Sequence, residues 1–481
     1  MTWLWLLLVP LALTVLYIRI NDRHLKAIPP NVLPFSPTRC TPESVRKTAS
    51  RLRDSQPISI AEQIPPKTGR RYIVVGGAGF LGGWIVLKLL ERGEDPKRIR
   101  ILDIRAPTRY DLTTGPACDV AFIPTDVTDA AATNVAVNAP WPLDSENDNN
   151  ATPDLTVFHT VANIRFFERS LALLPDSARV NIQGTQNVID AARAAGATAL
   201  VFTSSASVAV KTARLLLWPW ETAPEAYVQV ISDETPVPRR HEVFFSNYAV
   251  TKAEAERRVC GADKTPTGAG KGVLRTGCIR PGNAIFGPGG DLLLGFYLLR
   301  KSNPSWTQRV VQNCVYVENA VIAHLLYEQR LVELSNGGVN PDIGGQAFVV
   351  ADPGPPQTYG DLYATLGTLT DGETTFPSVS PTGMLLFAHI LEWYHLSRSW
   401  LLRAQSRLTA LLPPLGANIV NLQPSLFNLV SVHLIFDDSR ARLPPEKGGL
   451  GYKGAWTTLE AAHKTVDDHK ANLQREGAKG R

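Results

Sequence analysis

Tyr248 and Lys252 stand four residues apart in NYAVTKAEAERRV, and on a helix that spacing puts both side chains on one face. A free phenol, with a pKa of about 10, is a poor base at neutral pH. A neighbouring ammonium favours the phenolate and lowers that value. The pair could then take the proton of an alcohol while a hydride leaves the adjoining carbon. Ser205, in FTSSASV at the end of an apolar run, could hold the alcohol oxygen and shape the transition state. Ser204 is the adjacent candidate. Taken alone, a tyrosine and lysine at this spacing also describe an ordinary surface pair. Ser205, Tyr248 and Lys252 become a catalytic set only in the right company.

That company is a glycine turn. Gly76, Gly79 and Gly82 follow the apolar run at 72–75 directly and open an amphipathic stretch. The first glycine permits a tight turn, the second lets a pyrophosphate approach the backbone, and the third lets helix and strand pack closely. The helix N-terminus then attracts phosphate charge. Gly76, Gly79, Phe80, Leu81 and Gly82 are the expected cofactor-binding residues of that turn. Asp103 ends the next apolar run, about 20 residues on, where a carboxylate accepts hydrogen bonds from both ribose hydroxyls and repels a 2′-phosphate. NAD is therefore the expected cofactor and NADP the less favoured one, Arg105 being the nearest base that could bind the extra phosphate. Asp126, with Val127, is placed to reach the adenine, or to cap a helix. A nicotinamide seated on this turn would add its positive ring to the influence of Lys252, which would also hold the nicotinamide ribose.

The elements that must position these residues alternate. Apolar runs at 72–75, 100–104, 120–124, 156–160 and 199–203 predict strands, with helices at 84–92 and 181–195 between them. Such alternation implies an α/β fold, a doubly wound parallel sheet of Rossmann type covered on both faces. Asn181 opens the second helix, either as its cap or as a water-bridged partner of Lys252. The stretch 144–154 is polar and reads as a surface excursion, with an inert sequon at 150–152. A longer insertion at 211–242 carries Trp218 and Trp220. Beyond 280 the pattern loosens, as expected of a smaller substrate-binding unit. The organisation read from the chain is a transmembrane anchor at 1–20, a linker at 21–70, a dinucleotide-binding catalytic domain at 71–280 and a C-terminal substrate unit at 281–470.

The anchor rests on WLWLLLVPLALTVLYI at 3–18, followed by Arg19, Arg23, His24 and Lys26. The run is short against the roughly 17–25 residues of a bilayer span. No basic segment precedes it and no small-residue cleavage site follows, which argues against a signal peptide. The flanking charges predict a cytosolic C-terminal side, and the endoplasmic reticulum is the expected membrane. A second apolar region at 384–412 is broken by charged residues. It reads as a helix lying on a membrane or covering the substrate, or as ordinary core. The net charge of +5 in 481 residues is scattered, so no nucleic-acid partner is expected. Five dispersed cysteines, none in a CxxC pair, give no metal site and suit a reducing compartment.

Several motifs together resemble the extended short-chain dehydrogenases, and within them the 3β-hydroxysteroid dehydrogenase family, which includes sterol-4α-carboxylate 3-dehydrogenases. They are VVGGAGFLGG at 74–83, VFHTVA at 157–162, VNIQGTQNVIDAA at 180–192, FTSSASV at 202–208, YAVTK at 248–252 and IRPGNAIFGPGGD at 279–291. VYVENAVIAHLL at 315–326 favours the steroid subgroup and GQAFVVADPGPP at 345–356 agrees with it. The resemblance spans roughly 71–465. It implies Tyr248 as acid/base, Lys252 as its partner, Ser205 as hydroxyl anchor, and Pro281 with Gly282 beside the nicotinamide. Val75 stands where the family usually has threonine, which removes a side-chain bond from the glycine loop. Ser205 and Tyr248 are further apart in sequence than the family norm, because of the tryptophan-bearing insertion. His159 is expected to pack at the ligand end of the sheet.

The expected function is oxidation of a ring hydroxyl, of 3β type, on a sterol or sterol-like terpenoid, with loss of a neighbouring 4-carboxylate where there is one. The expected partners are that small molecule and membrane lipid, with a homodimer left open. A secondary-metabolite terpenoid alcohol fits equally well. A sugar-nucleotide epimerase shares the glycine loop and the Tyr/Lys pair but would need a basic, polar pocket. A non-catalytic scaffold would not need the intact Ser205, Tyr248 and Lys252.

Overall fold

In this computed structural model, which describes residues 2–56, 58–142, 153–268, 270 and 272–479, the five expected strands are present. They are β1 (Arg71–Val75), β2 (Ile99–Asp103), β3 (Ala121–Pro124), β4 (Leu155–His159) and β5 (Ala199–Thr203). Further along come β6 (Val228–Ile231), β7 (Thr265–Pro266), β8 (Val273–Pro281), β9 (Ile285–Phe286), β10 (Val311–Gln312), β11 (Val315–Tyr316), β12 (Ala347–Val350), β13 (Gln357–Thr358) and β14 (His433–Phe436). The main sheet runs β12-β8-β5-β4-β1-β2-β3, all parallel, with β7 paired antiparallel to β8. Strands buried on both faces need apolar residues throughout, and β5 (ALVFT) is buried along its whole length. The α/β doubly wound expectation therefore holds. The sequon at 150–152 and most of the polar stretch at 144–154 lie outside the described residues.

The helices are α1 (Thr2–Leu25), α2 (Pro42–Asp54), α3 (Phe80–Glu91), α4 (Ala130–Val137), α5 (Leu174–Ala178), α6 (Thr185–Ala194), α7 (Asn247–Gly261), α8 (Leu294–Arg300), α9 (Val317–Ser335), α10 (Tyr359–Leu369) and α11 (Pro381–Arg403). After them come α12 (Ala417–Val420), α13 (Pro424–Val430), α14 (Ser439–Arg442) and α15 (Thr458–Lys479). Helix α3 starts four residues earlier than its apolar pattern suggests, because Gly79 caps it and Gly82 and Gly83 sit inside it. Asn181 does not open a helix. It lies in a π-helical turn (Arg179–Gly184) that joins α5 to α6, a widened geometry that re-aims side chains.

Two parts of the chain cross between units. Strand β12, from the C-terminal half, completes the main sheet beside β8. Strand β6, inside the insertion at 211–242, leaves the catalytic half and pairs with β14 in a small sheet ordered β13-β10-β14-β6. The insertion thus knits the substrate side together and does not hang free. The stretch 21–70 is also engaged. Thr41 caps α2 in a reciprocal box with Ser44, and α2 packs on α10 and α15.

Residues 1–20 were expected to span a membrane. Among the described residues, no helix is long and apolar enough to do so. Helix α1 is interrupted in composition by Arg19, and its second half is tied to the body. Asn21 Nδ2 donates to Leu215 O (3.1 Å) and Thr382 Oγ1 (2.8 Å), and Tyr17 Oη donates to Leu217 O (3.0 Å).

Candidate active site

Ser246 caps α7 by accepting from Ala249 N, which sets Tyr248 in the first turn and Lys252 one turn on. Lys252 is buried, and its Nζ donates to Thr203 O at the end of β5 (2.5 Å). It also sits 4.0 Å above the Phe202 ring. Burial pushes the Lys252 ammonium down to about 7, against the opposing pull of Cys278 and Glu256. The ammonium therefore titrates near neutrality, and here it faces the Thr203 carbonyl.

Tyr248 is half-buried. Burial pushes its phenol up to about 12, and a hydrogen bond with the Ser205 side chain pulls the other way. Ser205 Oγ also lies 2.8 Å from Ser207 Oγ and accepts from Ser207 N (3.2 Å), which pins it at the start of a short turn. Ser204 is different. Its hydroxyl is buried with no partner, and its amide donates to Ile279 O (2.7 Å). Of the two serines, Ser205 is the one that meets the phenol.

The glycine turn closes tightly. Gly76 has φ +88°, and a Cβ there would meet Thr160 Oγ1 at 2.5 Å. A Cβ on Gly82 would meet Gly76 O at 2.2 Å. Thr160 donates its hydroxyl to Val75 O (2.9 Å), so a threonine on β4's end supplies a loop bond that Val75 cannot. No side chain caps α3, and its first-turn N–H groups, those of Phe80, Leu81 and Gly82, are left for a ligand. Asp103 accepts from Ala78 N (3.2 Å) and Arg105 N (3.4 Å), which fixes its carboxylate beside the turn. A cradle that any Cβ would fill, an uncapped helix start and an adjoining carboxylate fit a dinucleotide.

The outer candidates divide. Asp126 is exposed and accepts from Thr128 N (2.9 Å), while Asp129 caps α4. Val127 is buried and packs on Gly184, where a Cβ would come within 2.8 Å of its Cγ2. Pro281 closes β8, and Gly282 N donates to Val350 O (2.8 Å). Asn181 neither caps a helix nor reaches Lys252 directly. It donates to Thr251 Oγ1 (2.9 Å) and Asn163 O (3.1 Å) and accepts from Asn163 N (2.7 Å), tying the loop after β4 to α7.

His159 is buried between Phe202 and Thr185, with Nε2 3.0 Å from Thr185 Oγ1 and Nδ1 unpartnered. Burial, and then the Lys252 charge, push it down to about 3. Sequence reasoning missed His324 of α9, whose Nε2 lies 2.8 Å from Thr203 Oγ1. His324 lies within VYVENAVIAHLL, a run read only for its resemblance and given no role for its histidine. Sequence reasoning also missed Glu256, which pairs with Arg280 at 2.5 and 2.8 Å below Lys252. The i,i+4 spacing from Lys252 was a usable signal there.

Tyr248 belongs to an apolar cluster that includes Phe166, Met384, Leu385, Ala388, Phe427 and Leu429. One side of the site is thus polar backbone, and the other is a greasy wall built from α11 and α13.

A parallel sheet in this order, with a glycine turn after β1 and the Tyr/Lys helix at the carboxyl ends of β4 and β5, defines a Rossmann-type fold of the short-chain dehydrogenase kind. A solved UDP-glucose 4-epimerase from Thermotoga maritima shares it, at a TM-score of 0.53 and 16% identity, over 84% of this chain and 99% of that one. The family follows from the sequence. The profile of the 3-beta hydroxysteroid dehydrogenase/isomerase family matches residues 73–375, and the chain belongs to that family. Among its relatives is 3beta-hydroxysteroid-dehydrogenase/decarboxylase isoform 2 of Arabidopsis thaliana, 30% identical over 297 residues, a match covering 60% of this chain and 44% of that protein. Another is the mouse 3 beta-hydroxysteroid dehydrogenase type 7, 28% identical over 407 residues, covering 82% of this chain and 94% of that protein. The chain thus spans less than half the length of the plant relative and nearly all of the mouse one.

Proposed function

We propose that this chain is an NAD-dependent dehydrogenase that oxidises a 3β-type ring hydroxyl of a sterol or sterol-like terpenoid to a ketone. The observation that carries the reading is the Ser205–Tyr248 hydroxyl pair set between the buried Lys252 and an apolar wall. Family membership supports the reaction class, and the names of the plant and mouse relatives support the substrate class.

Gly76, Gly79, Phe80, Leu81 and Gly82 would hold the dinucleotide phosphates, with Asp103 at its ribose and Pro281 near its reactive ring. Bound NAD would supply the hydride acceptor. Ser205 Oγ hydrogen-bonds the substrate oxygen, and Tyr248 Oη takes the hydroxyl proton. A phenol held at about 12 in the bare site needs added positive charge to act as a base. Lys252, poised at about 7, supplies part of it when protonated. The apolar cluster against which Tyr248 packs, with Leu385, Ala388 and Phe427, keeps water from that side of the phenol and suits an apolar substrate. Where the substrate carries a 4-carboxylate, the ketone formed makes it a β-keto acid. Its C–C bond then breaks, the electron pair passing to the new carbonyl as carbon dioxide leaves.

Asp103 supports NAD over NADP, since its carboxylate would face a 2′-phosphate. The projecting apolar N-terminus and five unpaired cysteines support attachment to the endoplasmic reticulum with the catalytic part in the cytosol. The test is incubation of the full chain with NAD and a panel of sterol and triterpenoid alcohols, with the ketone read by mass spectrometry. UDP-sugars form the control arm. Turnover of UDP-sugars without any ketone would replace this reading with epimerisation.

A further inference from the structure

The five cysteines are scattered along the chain, and all are free thiols. The fold brings two of them together. Cys260 lies in the last turn of α7 and Cys278 in β8, and their sulfurs are 3.7 Å apart. They stand 18 residues apart in sequence, so no CxxC spacing announces the pair, and only the packing of α7 on β8 closes the gap.

The two sulfurs are held close from both sides. Thr276 donates its hydroxyl to Val259 O (2.6 Å), one residue before Cys260. Asp263 accepts from Thr276 N (2.8 Å) and from Arg275 Nε (3.0 Å). The end of α7 is thus tied to the start of β8 by three bonds within a few residues of each sulfur. The surroundings of the two thiols differ. Cys278 is buried in the cluster of Ala255, Val259 and Leu274, while Cys260 packs on the edge of that cluster and is partly open. Burial, and then the neighbouring Cys260, hold Cys278 in its thiol form. Cys260 is therefore the sulfur that meets a small oxidant first, and Cys278 is placed to resolve the product.

The pair also touches the support of the catalytic lysine. Cys278 is the register partner of Phe202 on β5, and both side chains join the cluster that α7 covers. The Lys252 ammonium sits 4.0 Å above the Phe202 ring. Lys252 and Cys260 share α7, about 12 Å apart along its axis. A disulfide needs its sulfurs at about 2 Å. Closing the gap draws the end of α7 towards β8 or swings Cys278 away from Phe202, and both movements disturb the seat of Lys252.

We propose that Cys260 and Cys278 form a reversible disulfide with a hydroperoxide as oxidant, and that this bond turns the enzyme down by displacing Lys252 from its seat on β5. The Cys260 sulfur, as thiolate, attacks one oxygen of the hydroperoxide. The O–O bond breaks, the other oxygen leaves as water or an alcohol after taking up the proton that the thiol gave, and Cys260 becomes a sulfenic acid. Cys278 then attacks the Cys260 sulfur. The S–S bond forms, the S–O bond breaks, and hydroxide leaves as water with the Cys278 proton. Two thiols lose two electrons, and one peroxide bond gains them. A reducing compartment returns the pair to thiols, so the bond is transient there. Its formation does not depend on the dehydrogenase reading, whereas its effect on turnover rests on that reading.

The test treats the full chain with hydrogen peroxide, blocks the remaining thiols with iodoacetamide under denaturing conditions and reads the mass. The oxidised chain should carry two fewer alkyl groups than the five of the reduced chain. Its digest should hold one cross-linked peptide that joins Cys260 to Cys278. Cys278→Ser should stop at the sulfenic acid on Cys260, which dimedone traps. Cys260→Ser should give no cross-link and, untreated, should match the wild type in turnover and melting temperature. Peroxide should lower oxidation of a sterol alcohol by the wild type roughly tenfold. Dithiothreitol should restore it, and Cys260→Ser should keep its activity throughout. NAD affinity, read by calorimetry, should fall with the cross-link as well, which gives a reading without turnover. A cross-link to any other cysteine, or none at all, overturns the proposal. So does a Cys260–Cys278 bond that leaves turnover and NAD affinity unchanged. A chain that forms the bond and loses NAD affinity, yet oxidises no sterol alcohol when reduced, supports the switch and defeats the substrate reading alone.

Discussion

The glycine turn at 76–82 and the wall that α11 builds around Leu385 and Ala388 are held in shape by different means. In the turn, backbone meets backbone: a methyl on Gly82 would press on Gly76 O at 2.2 Å, and the one side chain that helps is a threonine hydroxyl on Val75 O. In the wall, side-chain volumes from α11, α13 and the loop before α5 fill one cluster with Tyr248. Backbone sterics admit one residue type, whereas apolar volume admits many. The cofactor end of such a site can therefore persist while its fold relatives fall to 16% identity, and the substrate end is free to vary.

The largest expected effect tests the residue where the two regions meet. Tyr248→Phe keeps the ring in the wall and removes the proton acceptor, so alcohol oxidation should fall about 10²–10⁴-fold. Dinucleotide binding, read by calorimetry, should be nearly unchanged. Full activity in this variant would remove Tyr248 from the chemistry. Next in size, Leu385→Ala should cost about 2–5 kcal/mol in denaturant unfolding, because Leu385 is buried and its cavity cannot fill with water. Leu385→Met should cost less than about 1.5 kcal/mol. Gly82→Ala, at about 1–3 kcal/mol, should weaken dinucleotide binding as well. No larger residue should rescue it. If Gly82→Ala binds NAD as the wild type does, the contrast between the regions fails.

The same contrast explains what the chain disclosed. Gly76, Gly79 and Gly82, the five strands and the Tyr248/Lys252 pair were legible because each needs a particular residue at a particular spacing. Strand β5 was placed to the residue, its apolar run having no competing period. Asn181 was misplaced because a π-helical turn has no residue signature, and its three bonds reach Asn163 and Thr251 from distant parts of the chain. No strand was read in the insertion at 211–242 because β6 is four residues long and finds its partner, β14, about two hundred residues later. The apolar N-terminus read as a span from hydropathy, which could not also show that Tyr17 and Asn21 are bonded to the body. His324 was quoted within the run at 315–326 but given no role, since its link to Thr203 exists only once α9 lies across β5.

A smaller effect sharpens the cofactor side. Asp103→Ala removes the acceptor for Ala78 N and Arg105 N and the charge that would oppose a 2′-phosphate. The ratio of NAD to NADP efficiency should fall about tenfold, which corresponds to about 1.4 kcal/mol. An unchanged ratio would mean that the ribose does not lie at β2.

The smallest effect is a slope, and it separates the two regions by their titrating groups. His159 and His324 on the catalytic side are pushed down to about 3 and about 4 by burial, and His433 in the small sheet is also pushed down to about 4. Between these values and the ordinary histidine pKa, the unfolded chain binds protons that the folded chain refuses. The stability these histidines contribute is therefore complete above the ordinary value and is lost as pH falls through that window. Lys252, pushed down to about 7, has the same sign in a different window: from about 7 up to the ordinary lysine value, stability rises with pH. His159→Gln offers a neutral amide to Thr185 and should flatten the acid limb of stability against pH. The alkaline limb should stay as it was, because it belongs to Lys252. Lys252→Met should flatten the alkaline limb and, by removing the charge that adds to burial at His159, ease the acid limb slightly. If His159→Gln left the acid limb unchanged, the loss of stability in acid would come from other buried histidines, such as His324, His433 or His463, and His159 would not be the acid-sensitive group.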